Sequence, residues 1–110
     1  MNITVIGSGY VGLVSAACFA DLGNHVTCLD QDKAKIKSLN MGNIPFYEPR
    51  LANMVTKNIS SNHLSFTNSY KQAISFSNVI FICVGTPQYN NGRPNLKHLI
   101  SCIDLSLIHI

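Results

Sequence analysis

Residues 3–14 read ITVIGSGYVGLV. An apolar run rich in β-branched residues breaks into glycines and then resumes as a second apolar run. Ile3, Val5 and Ile6 suit a buried strand, placed over 2–6. Residues 10–22 suit a helix. Val11, Val14, Cys18 and Leu22 recur at three- and four-residue steps, which predicts that they form its buried face. Gly7, Gly9 and Gly12 spell G-x-G-x-x-G between the two elements. In a dinucleotide-binding turn the first glycine permits the tight turn. The second lets backbone approach a pyrophosphate, and the third lets helix pack closely on strand. Unpaired N–H groups at the helix start carry partial positive charge, which stabilises a phosphate there. Alone, the triplet is equally compatible with a plain strand-to-helix turn.

The following residues supply the context that decides between the two. HVTCLD at 25–30 reads as a second strand ending on Asp30, 18 residues after Gly12. A carboxylate at that point accepts hydrogen bonds from adenosine ribose hydroxyls and repels a 2′-phosphate, which favours NAD over NADP. Asp32 is placed to cap the next helix, so Asp30 is not needed for that task. The helix carries Ile36 and Leu39 inward and closes at Gly42.

NIPFYEPR follows, a loop framed by Pro45 and Pro49. Pro49 suits the first turn of a helix, where its missing N–H needs no partner. Leu51, Met54 and Val55 would face inward from it. LSFT at 64–67 is a short third strand, and 69–76 a short helix. NVIFICV at 78–84 is a fourth strand, so apolar that both its faces should be covered. GTPQYNNGRPN is a polar loop, and a last helix runs from about Leu96. Strands alternating with helices indicate an α/β fold with a parallel sheet and crossover helices. The fold expected is a partial Rossmann domain, a doubly wound parallel sheet of about four strands in the order 3-2-1-4 with flanking helices. Strands 1 and 4 then flank the switch point. Residues 84–87, VGTP, face the glycine loop across it, where the Thr86 hydroxyl can reach a phosphate or ribose.

Composition excludes several other classes. The chain has 110 residues, 46% hydrophobic and 12% charged, which suits one small globular domain rather than a disordered segment. No apolar run approaches the roughly 20 residues needed to span a bilayer, and no secretory leader is evident at the N-terminus. The net charge of +3 comes from scattered basic residues, not from the patch a nucleic-acid surface needs. Cys18, Cys28, Cys83 and Cys102 show neither CxxC pairing nor metal-ligand spacing. They read as reduced, packed thiols in a cytoplasmic protein. The four histidines show no ligand spacing and read as non-catalytic, so no metal site is expected.

These segments, ITVIGSGYVGLV, VTCLDQDKAKIKSLNMGNIPFYEP, LSFT and VIFICVGTPQYNNGRPNL, together resemble the N-terminal part of the UDP-glucose/GDP-mannose dehydrogenase family, which includes UDP-glucose 6-dehydrogenase. The resemblance runs nearly end to end, in family order and spacing. It implies NAD-dependent oxidation of a nucleotide-sugar 6-hydroxyl to a carboxylate by two successive hydride transfers, with UDP-glucose as the default substrate. Carried over by position, Gly7, Gly9, Tyr10, Val11 and Gly12 would cradle the pyrophosphate. Asp30 and Lys35 would hold the adenosine ribose, and Val84, Gly85 and Thr86 would line the nicotinamide side. Glu48 would cap the helix that starts at Pro49. Arg50 stands where the family often has glycine.

The family's nucleophilic cysteine, lysine, asparagine and acid–base group all lie downstream of the region that the resemblance covers. Residues 1–110 are therefore expected to be an incomplete N-terminal NAD-binding domain without the catalytic and substrate domains. No catalytic residue is assigned within it, and Cys102 has no obvious histidine or cation beside it. The parent would form a homodimer or larger assembly. This chain would self-associate through the bare edge of its fourth strand. Other readings are a stand-alone, non-catalytic dinucleotide-binding module, a dehydrogenase of GDP-mannose or UDP-N-acetyl sugars, and a β-hydroxyacid dehydrogenase. The YEP and VGTPQ segments argue against the last.

Overall fold

The structure is a computed structural model that describes residues 1–85 and 90–108. Its elements run β1 (Asn2–Ile6), α1 (Tyr10–Asp21), β2 (His25–Leu29), α2 (Lys33–Asn40), α3 (Pro49–Ser60), β3 (Leu64–Thr67), α4 (Tyr70–Ile74), β4 (Val79–Ile82) and α5 (Lys97–Ile108). The four strands are all parallel and lie in the order β3-β2-β1-β4. The α/β alternation and the strand order are those expected of the doubly wound fold.

Strand alternation divides the core into two layers. Ile3 and Val5 of β1 face α1, α2 and α3, where they meet Leu13, Leu39, Leu51 and Val55. Ile6 points the other way, to Ala73 and Ile74 of α4 and Cys102 of α5. Thr4 shares that second face and is fully buried. Its hydroxyl donates to the Ala73 carbonyl at 2.8 Å and also lies against the Ser77 hydroxyl. That contact satisfies a polar group that would otherwise cost free energy inside the sheet.

Local signals place most of the boundaries. Asp32 caps α2, accepting from the Lys35 N–H at 3.1 Å. Glu48 caps α3, accepting from the Arg50 N–H at 3.2 Å, with Pro49 in the first turn. The Arg50 side chain is exposed there. Gly23, just past α1, has a φ of +98°, a conformation other residues rarely adopt. Leu51 and Val55 are buried and Met54 packs beside them, as the sequence predicts.

The structure corrects two packing expectations. α1 buries Gly12, Leu13, Ala16, Ala17 and Ala20, whereas Val11 is 65% and Leu22 80% exposed. Cys18 is also exposed, so it is not a core thiol. Both faces of this apolar helix carry the same periodicity. Size decides between them, because the small residues let α1 press closely against the sheet. Second, β4 is only partly covered, and Phe81 is 39% exposed. Its ring leans on Phe19 with centroids 4.9 Å apart. Among the described strands β4 pairs with β1 alone, which makes it an edge.

Candidate dinucleotide site

The site lies at the C-terminal ends of β1, β2 and β4. Their hydrogen-bond ladders run on into the loops that form it. The Gly7 N–H donates to the Leu29 carbonyl at 2.7 Å, and the Cys83 N–H to the Ile6 carbonyl at 2.7 Å. The turn after β1 is thus held from both sides at the point where the strand order reverses.

Each glycine has a distinct steric reason. Gly7 has a φ of +104°, and a Cβ there would stand 2.5 Å from the Cys83 carbonyl oxygen. A Cβ on Gly12 would stand 1.8 Å from the Gly7 carbonyl oxygen, so the start of α1 is pressed onto the turn itself. Gly9 differs from both. A Cβ there would meet nothing within 4 Å. The space above Gly9 is open, on the side where a ligand can approach backbone. Gly9 is also the N-cap of α1, with no side chain capping the helix and no acidic residue in the first turn. The N–H groups of that turn are left for an external acceptor, and the helix dipole favours an anion there. This cradle fits a pyrophosphate.

Asp30 follows β2 and is half-buried beside the turn. Its Oδ2 accepts from the Ser8 N–H at 3.0 Å and the Ser8 hydroxyl at 2.6 Å. Its Oδ1 accepts from the Asp32 N–H at 3.0 Å. Lys35 Nζ stands 3.7 Å from Oδ2. Burial is the largest single influence on this carboxyl and raises its pKa. The Ser8 hydroxyl, the N–H groups of Asp32 and Ser8, and the Lys35 ammonium together outweigh it, leaving the pKa below the usual carboxylate range. Asp30 is therefore ionised at neutral pH and can accept from ribose hydroxyls.

Beside Asp30 opens a cavity of about 260 Å3 with an apolar floor of Ile6, Leu29 and Val84. Tyr70 and Cys102 form its far wall, and the Tyr70 hydroxyl donates to Cys102 Sγ at 3.2 Å. Burial, followed by that contact, raises the Tyr70 pKa. His98 lies one helical turn from Cys102, with Nε2 3.9 Å from Sγ. The expectation that no histidine stands beside Cys102 is thereby corrected. Cys102 itself is fully enclosed, and its packing role holds. Burial pushes the Cys28 thiol up to about 12, which makes it inert.

Of the residues singled out from sequence, Gly7, Gly9, Tyr10, Val11 and Gly12 form one turn, and Asp30 and Lys35 meet beside it. Tyr10 and Val11 are exposed at the helix start. Tyr10 also packs edge-on against Phe46 at 5.5 Å, which ties the IPFYEP loop to the glycine turn. Val84, expected on the nicotinamide side, borders the cavity next to Asp30. Gly85 is exposed beyond it, and Thr86 lies outside the described residues. Ser8, Tyr70 and His98 are at the site without having been singled out for it. Ser8 had a signal, a hydroxyl between the first two glycines and next to the strand that carries the acid. Tyr70 and His98 had none, because their place depends on which face of the sheet α4 and α5 cover.

Residues 1–108 match the UDP-glucose/GDP-mannose dehydrogenase family, NAD binding domain. The chain belongs to this family. It is 52% identical over 98 residues to UDP-glucose 6-dehydrogenase TuaD of Bacillus subtilis, covering 89% of this chain and 21% of that protein. It is 46% identical over 110 residues to the UDP-glucose 6-dehydrogenase of Rickettsia felis, covering 100% of this chain and 25% of that one. Among solved structures, a ternary complex of GDP-mannose dehydrogenase from Pseudomonas aeruginosa superposes with a TM-score of 0.96 at 35% identity, over 100% of this chain and 25% of that one. The chain thus spans about a quarter or less of the length of these relatives. Among the described residues, no helix is long and apolar enough to cross a membrane and no cluster of three metal-ligating side chains occurs.

Proposed function

We propose that this chain is the NAD-binding part of a nucleotide-sugar 6-dehydrogenase whose substrate is UDP-glucose, and that residues 1–110 carry cofactor recognition without the chemistry. The observation that carries this reading is the pairing of an open, uncapped helix start at Gly9 with an ionised Asp30 beside it. Gly7, Gly9, Tyr10, Val11 and Gly12 present the backbone cradle for the pyrophosphate. Asp30 accepts from the adenosine ribose, with Lys35 alongside. Val84, Gly85 and Thr86 are assigned to the crevice wall after β4. When bound, NAD supplies the acceptor for hydride leaving the sugar-nucleotide carbon. The chain's own residues orient the cofactor and exclude a 2′-phosphate, through the fixed negative charge of Asp30. The identities to two UDP-glucose 6-dehydrogenases favour UDP-glucose over GDP-mannose as substrate.

Cys28 and Cys102 are buried, and burial raises the Cys28 and Cys83 thiols, which supports leaving catalysis to other parts of the parent protein. The four free thiols suit a cytoplasmic location. The free edge of β4, with Phe81 partly exposed on it, supports self-association of this chain, while the parent forms a homodimer or larger assembly.

Titration of the chain with NAD, alongside an assay for UDP-glucose-dependent NADH formation, tests the reading. The wild type is expected to bind NAD and to form no NADH. Gly9→Ala should keep its fold, because the added methyl meets open space, and should lose NAD affinity by about tenfold or more. A folded wild type that does not bind NAD contradicts the cofactor assignment. NADH formation by this chain contradicts the division of labour.

A further inference from the structure

Ser8 is fully enclosed, and both of its donors point to one atom. Its N–H at 3.0 Å and its hydroxyl at 2.6 Å converge on Asp30 Oδ2. Asp30 Oδ1 receives only the Asp32 N–H, at 3.0 Å, among the described residues. A carboxylate offers about four lone-pair directions, two on each oxygen. The clamp therefore fills Oδ2 and leaves one direction open on Oδ1. Capping of α2 does not explain this arrangement, because the Asp32 side chain already does that. A carboxylate's terminal torsion is otherwise broad, so an unclamped Asp30 would present its charge over many orientations.

We propose that Ser8 is a positioning residue for cofactor selection, its hydroxyl fixing Asp30 so that Oδ1 faces the ribose. This rests on the NAD reading above. The residue belongs to the phosphate-binding turn and the carboxylate to the loop that follows β2. One hydroxyl therefore locks the pyrophosphate cradle to the ribose acceptor, and both halves of the recognition surface are set before the cofactor arrives. Removing the hydroxyl leaves the Ser8 and Asp32 N–H groups and the Lys35 ammonium in place but loosens their hold on the carboxylate. The charged form then loses its shortest hydrogen bond, so its pKa must rise.

The test is Ser8→Ala, which adds no atoms to a closed site, measured alone and in an Asp30→Ala background. Three results are expected. The titration midpoint of the Asp30 carboxyl, followed by carbon NMR without cofactor, moves up in Ser8→Ala. NAD affinity falls about tenfold, as for loss of one hydrogen bond to a charged group, while NADP affinity falls less. In the Asp30→Ala background, adding Ser8→Ala changes NAD affinity no further, because the two residues act as one unit. A carboxyl midpoint that Ser8→Ala leaves unmoved overturns the proposal. So does an equal loss of affinity with and without the Asp30 carboxylate, which is what a mere packing role produces. If the wild type binds no NAD, the cofactor reading fails by itself, and the carboxyl titration still decides whether Ser8 clamps Asp30.

Discussion

The two faces of the sheet are packed to different degrees, and the site lies where they meet. On the α1–α3 face, fourteen residues among those described form one buried cluster, including the fully enclosed Leu13, Leu39 and Val55. On the α4–α5 face the corresponding cluster has five, and α5 exposes Ile100, Ile103 and Leu107 to solvent. The glycine cradle is the first turn of α1 and so belongs to the heavily packed face. The cavity beside Asp30 opens on the lightly packed one. A rigid support thus holds the phosphate-binding backbone, while the wall of Tyr70, His98 and Cys102 rests on elements with less to anchor them. Rigidity where the backbone itself is the ligand-binding group is what preorganisation requires.

The sharpest way to break this contrast is Gly12→Ala. The new methyl would overlap the Gly7 carbonyl, and relief requires α1 to move away from the sheet. A loss of about 3 kcal/mol or more is expected, read as a collapse of the denaturant midpoint. A well-folded Gly12→Ala protein would show that the cradle is not held by the packing of α1.

Core truncations compare the two faces directly. Leu13→Ala should cost about 3 kcal/mol, because its surroundings cannot collapse around the void. Ile74→Ala, on the sparser face, should cost nearer about 2 kcal/mol, since neighbours there have room to relax. Chemical denaturation of both variants checks the order, and a larger loss at Ile74 would reverse the account of which face is rigid.

Acid sharpens the comparison at the site itself. The Asp30 pKa is lower in the folded chain than in the unfolded one, so the unfolded state binds the proton more readily. The stabilisation is fully present above the ordinary carboxylate value of about 3.9 and is lost as pH falls through the folded value. The stability difference between wild type and Asp30→Asn should therefore close below about pH 4. A difference that persists in acid would mean the carboxylate charge contributes nothing there.

The smallest effect concerns the lightly packed side. Phe81→Lys places a charge on the exposed edge strand and should reduce concentration-dependent association in sedimentation, at a cost of about 1 kcal/mol for the lost contact with Phe19. A wild type that stays monomeric at high concentration would remove the edge as a contact.

Much of this was legible in the chain because its signals are local. The glycines, Asp30, the capping by Asp32 and Glu48, and the alternation of elements each depend on a few neighbouring residues, and the strand order followed from them. Two kinds of feature were not legible. α1 is apolar on two sides, so periodicity pointed to Val11, Val14, Cys18 and Leu22, whereas closeness of packing selected Leu13 and the alanines and kept only Val14 of the four partly against the core. The cavity wall comes from α4 and α5, whose meeting with β2 depends on the crossovers and on no local pattern. Ser8 falls between these cases. Its position was visible, but its bond to Asp30 needed the two loops brought side by side.

The most direct test of the central claim, that an ionised Asp30 beside an open glycine cradle makes this chain select NAD, is calorimetric titration of wild type and Asp30→Ala with NAD and with NADP. The account predicts that the wild type binds NAD at least about tenfold more tightly than NADP, and that Asp30→Ala narrows the gap by weakening NAD. Equal affinity of the folded wild type for the two cofactors, or a preference for NAD that survives loss of the carboxylate, would contradict it.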